Sequence, residues 1–541
     1  MSEFLDSLEA PRSGAPAPLG MVVGGSLNRG IDVRLATPTA VEEAKVGTFA
    51  TAQGTAARYF GMITDLRLET ADARLAAALG AADPALTEVL AGTSAYAVAS
   101  FSPMLALGVG EEAPRPARAV PPHFAPVHRA SSEDVGAVFG HEDAAHVYVG
   151  SPLDMEDARV CLDLGALAER SNGVFGKSGS GKSFLTRILL AAIVQRGAAT
   201  NLVFDMHSEY GWAGTHEGGY AAKGLKQLFG ERVSLFSLDP ASSRRRGVTP
   251  DATVQVGMDE VEPEDIAILA PTLGITDLGV QASYAVARHL DREWVHKLLD
   301  MNAEQIAELA DALRENLNTL EALARRLRGL QRLGFLTERA VKGGAVGTVL
   351  EHLAAGNHVV LEFGRYGDDL TAYLLVANLL TRRIHADYRH RTEESLASGT
   401  KAPTPLVITI EEAHRFLAPG LAGQTIFGAI AREMRKYRVT LLVVDQRPSG
   451  IDPEVLSQVG TRLACQLDNE RDVEAVLTGA PGGRELRAVL ARLESKQQAL
   501  LFGHALPMPV VVRVRDYDEG FYRDMTTPGH GRSSARREDL F

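Results

Sequence analysis

Residues 176–183 read Gly-Lys-Ser-Gly-Ser-Gly-Lys-Ser, the pattern G-x-x-x-x-G-K-S. Glycine at this density lets consecutive backbone N–H groups converge on an anion, provided the loop leaves a strand and opens a helix. The flanks meet that condition. Asn172, Gly173, Val174 and Phe175 supply a short strand, and Phe184, Leu185, Ile188, Leu189 and Ile193 recur with helical spacing. The positive end of that helix points at the same anion. The octet therefore predicts a nucleoside triphosphate cradled by Gly176, Lys177, Ser178, Gly179, Ser180, Gly181, Lys182, Ser183 and Phe184. Lys182 is expected to reach the β- and γ-phosphates and Ser183 to ligate Mg²⁺.

A chain of 541 residues exceeds one ordinary core, so two to four domains are expected. Apolar content of 45% with 23% charged residues is that of a globular protein, and no run of about 18 apolar residues predicts a membrane span. The first residues have neither a basic segment nor an apolar core, which predicts no signal peptide. Cys161 and Cys465 lie far apart in apolar stretches. They fit buried free thiols in a reducing cytoplasm, not a disulfide or zinc framework. A net charge of −12 argues against a surface coated with nucleic acid but leaves room for a local basic channel.

Along the chain, residues 1–17 are rich in Pro, Gly and Ala and read as disordered. Residues 18–112 alternate short strands with turns, with a helical piece near 71–79, and predict a small barrel or sandwich. A Pro-rich link covers 113–145. An α/β core spans 146–258 and resumes over 346–515, interrupted by a helical insertion at 259–345. Within that insertion, residues 303–333 fit one or two amphipathic helices. The runs His358-Val359-Val360-Leu361-Glu362, Leu406-Val407-Ile408-Thr409-Ile410 and Val439-Thr440-Leu441-Leu442-Val443-Val444 suit central strands of a parallel sheet. Residues 516–541 read as a polar tail.

Three further motifs suit phosphoryl chemistry. Glu411-Glu412 follows an apolar strand; Glu411 would hold the metal, through water, and Glu412 would polarise the attacking water. Gln446, after the strand ending Val443-Val444-Asp445, can bond the γ-phosphate or that water. Arg435, in Arg432-Glu433-Met434-Arg435-Lys436-Tyr437, can project onto a neighbouring subunit's γ-phosphate, or simply belong to a solvated basic helix face.

In this order the phosphate loop, Asp205-Met206-His207-Ser208-Glu209-Tyr210, Glu411-Glu412-Ala413-His414, Arg435-Lys436-Tyr437 and Gln446-Arg447-Pro448-Ser449 resemble the HerA family of the HerA/FtsK superfamily, over about residues 19–515. The resemblance implies a RecA-like P-loop ATPase core with a helical insertion, preceded by a small N-terminal β-barrel. It implies ATP and Mg²⁺ as cofactors, Lys182, Glu412 and Gln446 as catalytic residues, and Arg435 as the trans-acting finger, with Arg432 and Arg462 as alternatives. Glu411 stands where such ATPases more often carry Asp. The extra methylene shifts the metal's water shell, which leaves a preference for Mn²⁺ or a low turnover open.

The family implies a homohexameric, ATP-driven translocase or helicase on double-stranded DNA, paired with a NurA-like nuclease in end resection and recombinational repair. Alternatives are another effector in antiviral defence, a membrane-associated conjugation or secretion ATPase, and a nucleotide-bound ring scaffold with weak turnover. Arg244, Arg245 and Arg246 in a turn-rich loop are candidate DNA-backbone contacts, or a plain solvent loop. The Gly- and aromatic-rich stretch 207–223 is a second pore-loop candidate. Arg325, Arg326, Arg328, Arg382 and Arg383 fit solvated helix faces. His207 and Glu209 near Asp205 fit the surroundings of the nucleotide rather than a separate metal site.

Overall fold

Buried and more exposed residues alternate along the first strands, so one face of each turns inward. In Gly20–Ser26, Val22 is buried while Met21 and Val23 are exposed. The computed structural model describes residues 18–36, 44–70, 95–108, 114–215, 221–340, 344–423, 425–433, 436–480, 483–494 and 497–527. Residues 1–17, the expected helical piece at 71–79, Arg435 and residues 528–541 of the expected tail lie outside them.

The N-terminal strands close into a six-stranded barrel. Their order is Gly30–Leu35, Gly20–Ser26, Pro126–Arg129, Phe49–Gln53, Ala57–Thr70, Ala95–Gly108, and back to Gly30–Leu35 through pairs such as Ile31 with Phe101. Bulges at Phe60/Gly61 and Ile63/Asp65 bend the long hairpin enough to close it. Val33, Ala50, Phe101 and Val127 fill the interior. The segment expected as a bare link therefore supplies a barrel strand. Pro126 is that strand's first residue, where the missing N–H costs nothing. The helix Ser132–Phe139 follows, its start fixed by a reciprocal Ser131–Asp134 capping box. Phe49, on the barrel's outer face, packs on Phe60 and on Phe139, with ring centroids 5.0 and 5.6 Å apart. The barrel is thereby seated on the larger core.

That core is a twelve-stranded sheet. Eight strands are parallel, in the order Ala252–Thr253, Val233–Ser237, His358–Glu362, Thr200–Asp205, Leu406–Glu411, Val439–Asp445, Asn172–Phe175 and Thr461–Ala464. Gln498–Gly503, Val510–Val514, His146–Pro152 and Val160–Asp163 continue it antiparallel. The long runs of buried residues in the parallel strands reflect helices on both faces. This is the α/β P-loop core expected, and the strand ending at Asp445 sits between the phosphate-loop strand and the strand ending at Glu411.

The insertion folds as the helices Pro263–Leu273, Asp277–Leu290, Trp294–Asp300, Ala303–Leu313 and Leu317–Leu327. Residues 303–333 give two helices, because Arg314 turns left-handed (φ 56°) and Asn316 caps the second. Arg382 and Arg383, expected on a solvated face, instead clamp the insertion to the helix Leu370–Ser398. Arg382 pairs with buried Asp265 at 2.8 Å and with Glu262 at 2.5 Å, and Arg383 pairs with Glu260 at 3.2 Å. The start of the expected tail is also folded. The helix Glu519–Thr526 buries Phe521, Tyr522 and Met525, and Gln195 Nε2 donates to the Asp524 carbonyl at 2.6 Å.

No helix among the described residues is long and apolar enough to cross a membrane. Cys161 and Cys465 are buried free thiols, each pushed up to about 11 chiefly by burial.

Candidate active site

The loop after Phe175 needs its glycines. Gly176, Gly179 and Gly181 have φ of 155°, 73° and 96°. A Cβ on Gly176 would lie 2.6 Å from Ser180 Oγ and 2.7 Å from Cys465 Cβ. Ser180 Oγ and Lys182 Nζ both donate to the Lys177 carbonyl, at 2.7 and 3.0 Å, which draws the loop into a ring. Lys177 itself turns outward to Asp468 at 2.8 Å. Lys182 opens the helix Lys182–Arg196 and is 9% exposed. Burial pulls its ammonium below the ordinary lysine value, opposed by negative charge that includes Glu412, Glu411 and Asp445.

A cavity of about 560 Å³ at the C-terminal edge of the sheet is lined by Ser178 through Phe184 together with Glu411, Glu412 and Gln446. Three sequence-distant motifs thus face one space. Gly176 and Lys177 support the loop from behind.

Glu411 ends its strand with both backbone groups bonded to one hydroxyl: its N–H donates to Tyr373 Oη at 3.0 Å, and that hydroxyl donates to its carbonyl at 2.9 Å. Its side chain accepts from Tyr210 Oη at 2.9 Å on Oε1. Oε2 is buried and finds no partner among the described residues. Burial, then the charges of Asp205 and Glu209, push the Glu411 carboxyl up to about 8. A cation beside Ser183 would reverse that balance. A carboxylate oxygen without a protein partner, on a residue that lines the same cavity as Ser183 and the phosphate loop, fits Mg²⁺ held partly through water. Among the described residues no cluster of three or more His, Cys, Asp or Glu forms an all-protein metal site.

Glu412 carries a left-handed backbone, φ 47°, a conformation that costs a non-glycine residue about 1 kcal/mol or more and concentrates at functional sites. Gln446 Nε2 lies 3.4 Å from its Oε1.

The remaining predicted residues are more dispersed. Asp205 accepts from the backbone N–H of Glu209, Tyr210 and Gly211 at 2.7, 2.8 and 2.9 Å, so it shapes a loop. Burial and Glu362 push it up to about 6. His207 and Glu209 reach the cavity, whereas Tyr210 is fully buried and is no pore-loop aromatic. Gly218, Gly219 and Tyr220 of that stretch are outside the described residues. Arg244 and Arg245 are exposed on the short helix Pro240–Arg245, but Arg246 forms a two-armed pair with buried Glu362. Arg462 is 4% exposed and donates to the carbonyls of Val476, Thr478 and Leu456 at 2.5, 2.6 and 2.6 Å. Burial pulls it down to about 10, and a side chain so enclosed cannot serve as a finger for a neighbour. Arg432 is partly exposed, within 3.2 Å of the Ala422 carbonyl.

The family model described as "Helicase HerA, central domain" matches residues 147–384, which hold the phosphate loop and the insertion. The DNA double-strand break repair helicase HerA of Pyrococcus furiosus is 25% identical over 416 residues, 73% of each chain. The protein of that name from Sulfolobus acidocaldarius is 23% identical over 399 residues, again 73% of each. These matches support a HerA-type ATPase. It is also similar to the structure of VirB4 of Thermoanaerobacter pseudethanolicus, at 14% identity and a TM-score of 0.42 over 70% of this chain and 98% of that one.

The sequence motifs miss one wall of the cavity. Gln497, Val514, Arg515, Asp516 and Tyr517 line it. They arrive there because Val510–Val514 runs in the same direction as the parallel strands and ends at the same edge. Arg187 lies between Phe184 and Tyr517, 5.0 and 5.8 Å from their ring centroids, and donates twice to the Glu209 carbonyl. Arg187 does sit at helical spacing from Ser183, but its stacking partner is more than three hundred residues away.

Proposed function

We propose that this HerA-type ATPase is an ATP-driven double-stranded DNA translocase or helicase that works as a homohexameric ring in the cytoplasm. Its supporting observation is the convergence of the phosphate loop, Glu411-Glu412 and Gln446 on one cavity, in a chain that matches two DNA double-strand break repair helicases over 73% of its length. The backbone N–H groups of residues 179–183 bind the phosphates, and Lys182 exchanges its bond to the Lys177 carbonyl for a phosphate oxygen. Ser183, and Glu411 through water, would hold Mg²⁺, which when bound would supply positive charge to the phosphates. Glu412 takes the proton of the attacking water, and Gln446 holds its carboxylate in place and registers the γ-phosphate. Arg435 of an adjacent subunit offsets transition-state charge. Arg244 and Arg245 hold DNA phosphates without reading bases, as processive movement requires. A NurA-like nuclease is the partner, in end resection and recombinational repair.

The test is displacement of a triplex-forming oligonucleotide from linear duplex DNA. Displacement that needs ATP and Mg²⁺ and vanishes in Glu412→Gln supports a motor; displacement that continues without hydrolysis contradicts it. A ring scaffold with weak turnover is favoured by one observation, the burial that holds the Glu411 carboxyl near 8. Glu411→Asp with sharply raised turnover would favour that reading.

A further inference from the structure

His414 sits between Glu412 and Asp445, the last residue of the strand that precedes Gln446. It opens the short helix His414–Leu417, two residues past the left-handed turn at Glu412. Asp445 holds one side of its ring. Nδ1 lies 3.0 and 3.1 Å from the two carboxylate oxygens of Asp445, and its backbone N–H donates to Asp445 Oδ2 at 2.7 Å. Asp445 is 1% exposed and also accepts the Arg447 N–H at 2.6 Å. A carboxylate only accepts, so Nδ1 donates to Asp445, and Nε2 can donate toward the Glu412 carboxylate only as the imidazolium, in which both ring nitrogens carry a proton. Nε2 stands 3.7 Å from Glu412 Oε2, while Gln446 approaches the other oxygen, Oε1. The turn Pro448–Gly450 backs the imidazole: a Cβ on Gly450 would lie 3.2 Å from His414 Cβ.

We propose that His414 is a positioning residue for Glu412, and that Asp445 orients it for that task. The proposal rests on reading Glu412 as the group that activates water. One strand end, Val439–Asp445 with Gln446 after it, thereby constrains both oxygens of the Glu412 carboxylate: Gln446 directly, and Asp445 through the imidazole. The strained backbone of Glu412 is tolerated because its neighbours fix where the carboxylate points. Asp445 does touch the phosphate loop, its backbone carbonyl accepting the Gly176 N–H at 3.3 Å, but that bond is made by the main chain; among the described residues the His414 ring bonds to no residue of the loop, so its removal should leave nucleotide binding intact.

The test is steady-state hydrolysis and direct nucleotide binding with the full-length chain, for His414→Ala, His414→Gln, Glu412→Gln and the His414→Ala/Glu412→Gln double variant. His414→Ala is expected to lower kcat by about 10- to 100-fold, a share of the ~10²–10⁴-fold that a positioned base supplies. KM, and the affinity for a fluorescent ATP analogue, should stay within about twofold. His414→Gln, whose amide nitrogen can approach Glu412 from the same side, should recover part of the loss. Adding His414→Ala to Glu412→Gln should cost nothing further, because the group it acts on is gone. An equal fold-loss in both backgrounds, a loss expressed in nucleotide affinity, or an unchanged kcat in both His414 variants overturns the proposal. If Glu412→Gln itself hydrolyses ATP at the parent rate, the reading of Glu412 falls, and this proposal with it.

Discussion

Tyr373 Oη stands 3.0 Å from the backbone nitrogen of Glu411 and 2.9 Å from its carbonyl oxygen, so one hydroxyl from the helix Leu370–Ser398 fixes the strand end that carries both acids. Tyr373→Phe leaves a buried N–H and a buried C=O without that partner. It should destabilise the protein by about 1–3 kcal/mol and lower kcat by letting the strand end shift. Urea unfolding and steady-state kinetics check both effects.

Glu411 gives a pH dependence whose sign is fixed. Its carboxyl is raised from the ordinary 4.5 to about 8, by burial first and then by Asp205 and Glu209. The native state therefore holds the proton more tightly than the unfolded chain. Stability from this group is fully present below the unfolded value and is lost as pH rises through about 8. In Mg²⁺-free buffer, the parent protein should lose stability relative to Glu411→Gln across that window, by up to about 1.4 kcal/mol per pH unit. Melting temperatures of the two proteins, measured at about pH 5 and about pH 8.5, should diverge accordingly.

The three consecutive arginines should separate cleanly. Arg246→Ala strips the partner from buried Glu362 and should cost about 3 kcal/mol of stability. Arg244→Ala and Arg245→Ala should leave the melting temperature unchanged, weaken duplex DNA binding regardless of sequence, and each lower the salt slope by about one. Binding titrations over a salt series, beside thermal melts, distinguish the two effects.

Arg462 and Arg435 should likewise part. Arg462→Ala abandons three carbonyls inside the fold and should lower the melting temperature. Arg435→Ala should leave stability and nucleotide affinity intact while reducing kcat, as expected of a group acting across a subunit boundary. Mixing Arg435→Ala with Lys182→Ala subunits should recover turnover at interfaces that pair an intact site with an intact finger.

The phosphate loop, the paired acids and Gln446 were legible in sequence because their chemistry requires neighbouring residues at strand ends. The parallel core was legible because strands buried on both faces are apolar throughout. The partners that tune the site were not. Tyr210 meets Glu411 across 201 positions and Arg246 meets Glu362 across 116, and no local pattern encodes such contacts. Arg382 and Arg383 read as solvated helix charges, Arg246 as a candidate DNA contact and Arg462 as an alternative finger, yet each is committed to a carboxylate or a carbonyl inside the fold. The Pro-rich segment failed as a linker for a local reason: a proline at the first position of a strand costs no ladder bond.

Steady-state ATP hydrolysis with Mg²⁺, with and without linear double-stranded DNA and with Lys182→Ala as the blank, tests the motor reading most directly. Stimulation by DNA that is absent from Lys182→Ala is the predicted result. Turnover indifferent to DNA, or none above the blank, would contradict it.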